Sequence, residues 1–194
     1  MSPVTASSTL QVRVRATTYE AQNILGFELV PLDPATALPA FTAGAHIELH
    51  LPSGLRRSYS LLNDPQETHR YCIGVNLDAH SRGGSRFMHE QLRTGTVLTI
   101  GAPRNLFAMD ESSPFNVFIA GGIGITPMLC MLNRLLELGR PADLIYCSRS
   151  RQDAAFLQNL KAMTARGLNV SYHFDDEEGG PPDLHTWLSA YSPA

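Results

Sequence analysis

Long apolar runs are absent from this chain. No stretch approaches the ~20 consecutive apolar residues that a helix needs to cross a bilayer, so no membrane partner is expected. A charge excess is absent too. The formal net charge is -3 over 194 residues, which gives no electrostatic reason to expect nucleic acid or anionic lipid as a partner. Cysteine is scarce: Cys72, Cys130 and Cys147 are odd in number and far apart, a pattern that fits neither a disulfide framework nor a zinc site. Cys72 and Cys147 fall in apolar strand-like runs and Cys130 on an apolar helix. All three read as buried free thiols, and a reducing cytoplasm is the default compartment. The opening Met1-Ser2-Pro3-Val4-Thr5 lacks the basic and then apolar regions of a secretory signal.

What is present, 43% hydrophobic and 17% charged residues, fits a folded chain with room for one large domain or two small ones. The first hundred residues read as β. Leu10, Val12 and Val14 alternate with Gln11, Arg13 and Arg15, and the runs Leu25, Phe27, Leu29 and Ile47, Leu49, Leu51 repeat the period of two. Further strands are predicted over 56–62, 71–77 and 97–100, set apart by breakers such as Pro52-Ser53-Gly54 and Asn63-Asp64-Pro65. This pattern predicts an antiparallel six-stranded β-barrel, interrupted by a helix over 85–92 with Ser85 as N-cap. Beyond the polar Asp110-Glu111-Ser112-Ser113-Pro114 the texture changes. Strands at 115–120, 143–147 and 168–174 alternate with helices at 127–138, 153–165 and 183–190. That order predicts an α/β parallel-sheet domain with right-handed crossovers. The expected division is 1–110 and 111–194. Three parallel strands make half of a doubly wound sheet, so the second domain is expected to be incomplete at its C-terminus.

Two segments point to chemistry. Gly121-Gly122-Ile123-Gly124 joins a strand to a helix and lets the backbone approach a ligand without Cβ obstruction. With Thr126 as N-cap and Pro127 as first helical residue, the loop amides and the helix dipole converge on one spot, which suits a pyrophosphate. The spacing is not G-x-G-x-x-G, and taken alone these glycines also suit a plain tight turn. Ser148 and Arg149 end the next strand, where an open α/β sheet meets a ribose. Arg149 or Arg151 there suits either a 2′-phosphate or a solvated turn. Upstream, Arg57-Ser58-Tyr59-Ser60 closes a strand. Arg57 offers a donor fork for phosphate. Tyr59 should face opposite to Ser58 and Ser60, its ring free to lie on a planar cofactor, with Ser60 as a donor. Read in isolation it is an ordinary strand end. Ser81-Arg82-Gly83-Gly84-Ser85 adds a second anion site before a helix. His46-Ile47-Glu48-Leu49-His50 lies on a strand and lacks the H-E-x-x-H order, so metal is not expected. Asp175-Asp176-Glu177-Glu178 reads as a solvated acidic loop.

Taken in order, R-x-Y-S, S-R-G-G-S and G-G-I-G-I-T-P resemble the ferredoxin-reductase superfamily, and within it the phthalate dioxygenase and vanillate demethylase reductases. The resemblance runs from about Leu10 to the end of the chain and takes in Gly101-Ala102-Pro103-Arg104-Asn105-Leu106-Phe107. It implies a flavoprotein reductase. Arg57, Ser58, Tyr59 and Ser60 match the flavin signature; Gly83, Gly84 and Ser85 match the flavin-phosphate loop; Val75 and Asn76 match the strand beside the ribityl chain. The flavin of this group is FMN, whereas many relatives use FAD. Gly122, Gly124, Ile125, Thr126 and Pro127 match the nicotinamide-nucleotide loop, and Ser148 and Arg149 the ribose end, for NADH or alternatively NADPH. Ser60 and Thr126 would orient the two rings, with no dedicated acid or base. The implied acceptor is an iron–sulfur centre of an oxygenase or demethylase component, or a ferredoxin. The chain departs from the pattern in two ways. It has no C-G-P-like motif on a fourth strand, and its cysteines cannot supply C-x₄-C-x₂-C, so a 2Fe–2S cluster must come from a missing C-terminal segment or a partner. Two other readings stay open: an FAD-dependent electron-transfer protein serving a ferredoxin or dihydroorotate dehydrogenase, and a non-catalytic flavin-binding or docking fragment.

Overall fold

The computed structural model describes residues 9–189 and 191. β1 (Thr9–Ala21) and β2 (Ile24–Pro31) form an antiparallel hairpin whose turn holds Asn23 at φ 61. β3 (Ala45–His50), β4 (Arg56–Ser60), β5 (Tyr71–Asn76) and β6 (Val97–Gly101) complete an antiparallel sheet in the order β4-β3-β6-β1-β2-β5. The period of two does its expected work. Ala45, Ile47 and Leu49 of β3 are buried, while His46, Glu48 and His50 lie half-exposed on the other face. Glu48 is shared there among His50 (3.1 Å), Arg56 (3.3 Å) and Arg104 (3.9 Å). A seventh strand, β7 (Arg104–Asn105), pairs with β3 and is too short for periodicity to announce.

The sheet closes where Leu61 bridges Ile73 and the Leu62 amide donates to the Cys72 carbonyl at 3.0 Å. Asn63 anchors the loop beyond this point. Its buried amide accepts from the Cys72 N–H (2.8 Å) and donates to the Arg70 carbonyl (3.2 Å) and Glu67 Oε2 (3.1 Å). α1 (Gly84–Glu90) then covers one end of the barrel, with Met88 buried in the core. His89 Nε2 donates to the Val75 carbonyl at 2.9 Å.

Parallel strands β8 (Asn116–Gly121), β9 (Ala142–Ser148) and β10 (Asn169–Phe174) form a second sheet in the order β10-β9-β8, crossed by α2 (Ile125–Glu137) and α3 (Leu157–Thr164). α4 (Asp175–Glu178) and α5 (Leu184–Ser189) follow. The expected barrel and α/β sheet are therefore both present. No helix of the described residues is long and apolar enough to cross a membrane.

Three expectations need correction. The helix expected over 153–165 begins only at Leu157, because Phe156 takes a left-handed conformation (φ 62) that no helix can include. The acidic loop is instead the single turn α4, and Glu177 forms a two-pronged pair with Arg151 (3.1 and 3.0 Å). Of the thiols only Cys130 is buried; Cys72 and Cys147 are half-buried.

The two sheets exchange core residues. Cys130 and Met131 of α2 pack into the barrel core, while Ala21 and Ile24 of the β1–β2 hairpin pack into the core of the parallel sheet. Burial pushes the Cys130 thiol up to about 12 and the Cys72 thiol up to about 11, so little reactive thiolate forms at either. In titration with an aromatic disulfide at pH 8, Cys130 is expected to react only after denaturant is added. A native chain that gives up all three thiols at once would contradict this packing.

Candidate functional site

The barrel has an open seam. β4 and β5 are its two ends, and among the described residues they are linked as strands only through the Leu61–Ile73 bridge. Continued antiparallel from that bridge, the register would set Ser60 opposite Gly74, Tyr59 opposite Val75 and Ser58 opposite Asn76. No ladder continues there, so the two strand edges part beyond the bridge. Arg57 and Tyr59 are half-buried and Ser58 is exposed, the expected alternation. The Tyr59 ring packs against the barrel core, and burial raises its hydroxyl pKa against the smaller opposing pull of Arg57.

Arg57 reaches from β4 to the start of α1. A Cβ placed on Gly84 would lie 2.5 Å from Arg57 Nε, so a larger residue there would push the side chain off its path across the first helical turn. That turn contains no acidic residue, and among the described residues Arg57 forms no ion pair. Arg57 Nη1 donates to the Arg56 carbonyl at 2.8 Å. The rest of the fork is left for an anion, which fits a phosphate group. Ser85 is not the N-cap. Gly83 holds that position at φ 97, and Ser85 lies inside the helix, its Oγ donating to Ser81 Oγ at 2.9 Å. The reason is that a left-handed cap favours glycine.

The glycine loop also differs in detail. Gly122–Gly124 winds into a 3-10 turn that runs straight into α2, so the helix starts at Ile125 and Gly124 occupies the cap position. Thr126 is a first-turn residue whose Oγ1 donates to the Ile123 carbonyl at 3.0 Å. Its methyl, not its hydroxyl, faces the barrel. Ile125 is fully buried in the core of the parallel sheet, and Pro127 is half-buried behind it. At Gly121, Gly122 and Gly124 an added Cβ would meet nothing within 4 Å, so these glycines border open space.

At Gly121 and Gly122 that space is a cavity of about 650 Å³ between the two sheets. Gly121, Gly122, Ser148 and Arg149 contribute from the parallel-strand ends, and Asn76, Leu77, Asp78 and His80 from the barrel. Its size and its place outside the carboxyl ends of parallel strands suit a nucleotide. Ser148 Oγ donates to the Ser150 carbonyl at 2.7 Å and keeps its lone pairs for an incoming hydroxyl. Arg149 stands exposed at the rim, with Asp153 and Asp175 also lining the cavity. Arg151 does not line it. Besides its pairing with Glu177, it lies 4.4 Å over the Phe174 ring.

The two motif regions meet at Gly74, a residue that sequence reasoning missed. A Cβ there would come within 2.8 Å of Phe156 Cζ and 2.9 Å of Thr126 Cγ2. β5, which faces β4 across the seam, and the helix start of the glycine loop are thus in direct contact, and β5 reaches the cavity at Asn76. Of the expected site residues, Asn76, Gly122, Ser148 and Arg149 line the cavity; Arg57 and Gly84 touch each other; Val75 is buried with its carbonyl taken by His89.

Residues 118–185 match the family model described as the oxidoreductase NAD-binding domain. The chain is similar to the phenoxybenzoate dioxygenase subunit beta of Ectopseudomonas oleovorans, 48% identical over 191 residues that cover 98% of this chain and 58% of that protein. It is also similar to the vanillate O-demethylase oxidoreductase of Pseudomonas putida, 48% identical over 158 residues, or 81% of this chain and 49% of that one. Among solved structures it is similar to phthalate dioxygenase reductase, described as a modular structure for electron transfer from pyridine nucleotides to 2Fe–2S. The TM-score is 0.87 at 34% identity, covering 95% of this chain and 58% of that one. The chain spans about half the length of these relatives. With an antiparallel barrel, a glycine-looped parallel sheet and these likenesses all agreeing, the chain belongs to the ferredoxin-reductase superfamily, in the group of the phthalate dioxygenase and vanillate O-demethylase reductases.

Proposed function

We propose that the chain is the flavin- and nucleotide-binding part of an oxygenase reductase, residues 1–110 holding FMN and residues 111–194 holding NADH. The observation that carries this reading is the contact of Gly74 with Thr126 and Phe156, which brings the open seam and the glycine loop together. When bound, the flavin would supply hydride acceptance from nicotinamide and release of electrons one at a time. The protein's residues would position. Arg57 and the first amides of α1 would hold the flavin phosphate, the strand ends at Ser60 and Asn76 would meet the ring and its side chain, and Ser60 would donate to the ring. The Gly122–Gly124 turn would take the pyrophosphate, with Ser148 at the ribose. Thr126 would serve through its methyl, which shapes the approach of the nicotinamide to the barrel.

NADH is favoured over NADPH by the charges at the cavity rim. Asp78, Asp153 and Asp175 outnumber Arg149 there, and Arg151 is held off by Glu177. Carboxylates accept from ribose hydroxyls and repel a 2′-phosphate. The next acceptor would be an iron–sulfur centre of an oxygenase or demethylase system. Cys72, Cys130 and Cys147 lie on β5, α2 and β9, so another segment or protein would supply that cluster. The test is the absorption spectrum of the purified chain loaded with FMN, followed by anaerobic mixing with NADH. Bleaching of the flavin bands is the expected result. A chain that retains no flavin, or holds it unbleached under excess NADH, would sink the proposal.

A further inference from the structure

Tyr146 is fully buried on β9, the middle strand of the parallel sheet, and does not line the cavity. A hydroxyl in so apolar a core needs partners. It finds them in the two loops that leave the neighbouring strands β8 and β9. The Ala155 N–H donates to it at 3.0 Å, and its single proton is shared between the carbonyl oxygens of Ala155 and Gly122, each at 3.3 Å. Gly122 belongs to the loop at the cavity wall. Ala155 precedes Phe156, which is 3% exposed and held at φ 62, a conformation that a β-carbon makes unfavourable. Such strain persists only where the surroundings over-determine it. Here the Ala155 backbone is captured on one side, and on the other the Phe156 ring is seated against Gly74 of the flavin-facing strand.

We infer that Tyr146 is a positioning residue for hydride transfer: its hydroxyl ties the nucleotide-facing glycine loop to the Phe156 plug, and the plug fixes the loop against β5. The inference rests on the functional reading above. It adds that the donor–acceptor geometry is set from inside the parallel sheet, by a side chain that touches neither cofactor. Of the glycine loop, the Tyr146 hydroxyl touches only the Gly122 carbonyl and leaves the loop amides and Ser148 in place for the nucleotide, so its loss should largely spare affinity and misplace the ring. Hydride transfer falls steeply with such misplacement.

Tyr146→Phe, loaded with FMN, is therefore expected to be reduced by saturating NADH about tenfold more slowly or worse, with the NADH dissociation constant changed by less than about threefold. Phe156→Leu keeps the hydroxyl and shortens the plug, and should give the same split. The double variant should be little worse than the poorer single, because the two residues act in series. A second readout needs no ligand. In amide hydrogen exchange of the unloaded chain, Tyr146→Phe should raise exchange at 121–124 and also at 73–76, while a local packing role would affect only the surroundings of β9. Reduction at the unmodified rate, or exchange confined to β9 and 154–156, would overturn the inference. If the unmodified chain is not reduced by NADH at all, the functional reading fails instead, and the exchange pattern still decides whether the linkage exists.

Discussion

Gly44→Ala is expected to cost about 2–5 kcal/mol of folding stability, from left-handed strain and overpacking together. Gly44 sits at φ 93, and an added Cβ would lie 2.0 Å from the Phe107 carbonyl oxygen and 2.7 Å from Met131 Cε. The first of these atoms is backbone and cannot swing aside. The position is where the approach to β3, the tail of the barrel and α2 converge, so a shift at one point disturbs all three. Against a typical stability of roughly 5–15 kcal/mol, the variant should unfold at markedly lower urea or collect in the insoluble fraction. A denaturation midpoint equal to that of the unmodified chain would show that this crossing is looser than described.

The second large effect is expected at the seam. Arg57→Ala should weaken FMN binding by roughly 10–150-fold, the equivalent of about 1.5–3 kcal/mol for a charge-assisted hydrogen bond. Part of the loss would come from the stem, which lies across Gly84. Arg57→Lys separates the two: it keeps a charge and most of the stem but loses the fork, and should fall between. Arg86→Ala serves as control, since Arg86 is exposed and lies 3.9 Å from Glu90 one helical turn on. Quenching of flavin fluorescence on titration into each variant reads out the constants. Equal affinity in the Arg57→Ala variant would remove Arg57 from the site.

Much of the architecture was legible in the sequence because it rests on local pattern. β3 announced itself by strict alternation, and the parallel strands by short apolar runs between helical periods. The glycine loops were legible as loops as well, since a glycine run between strand and helix has few physical uses. What escaped were contacts between distant residues. Nothing near Gly74 says that a phenylalanine from the other sheet will occupy the space of its missing side chain. Nothing in the periodicity of 153–165 says that a buried tyrosine will hold the Ala155 backbone and delay the helix to Leu157. The caps misled for a related reason. Serine and threonine stood where a cap was expected, yet Gly83 and Gly124 took those places, because each loop tightens just before its helix.

The exchange of core residues carries a consequence for how the protein can be divided. With Cys130 and Met131 lodged among barrel side chains, and Ala21 and Ile24 among those of the parallel sheet, neither half owns a complete interior. Severed between residues 110 and 111, each piece would present a greasy socket to water. The chain therefore behaves less like two beads on a string than like a single casting, to be grafted or fused as a whole.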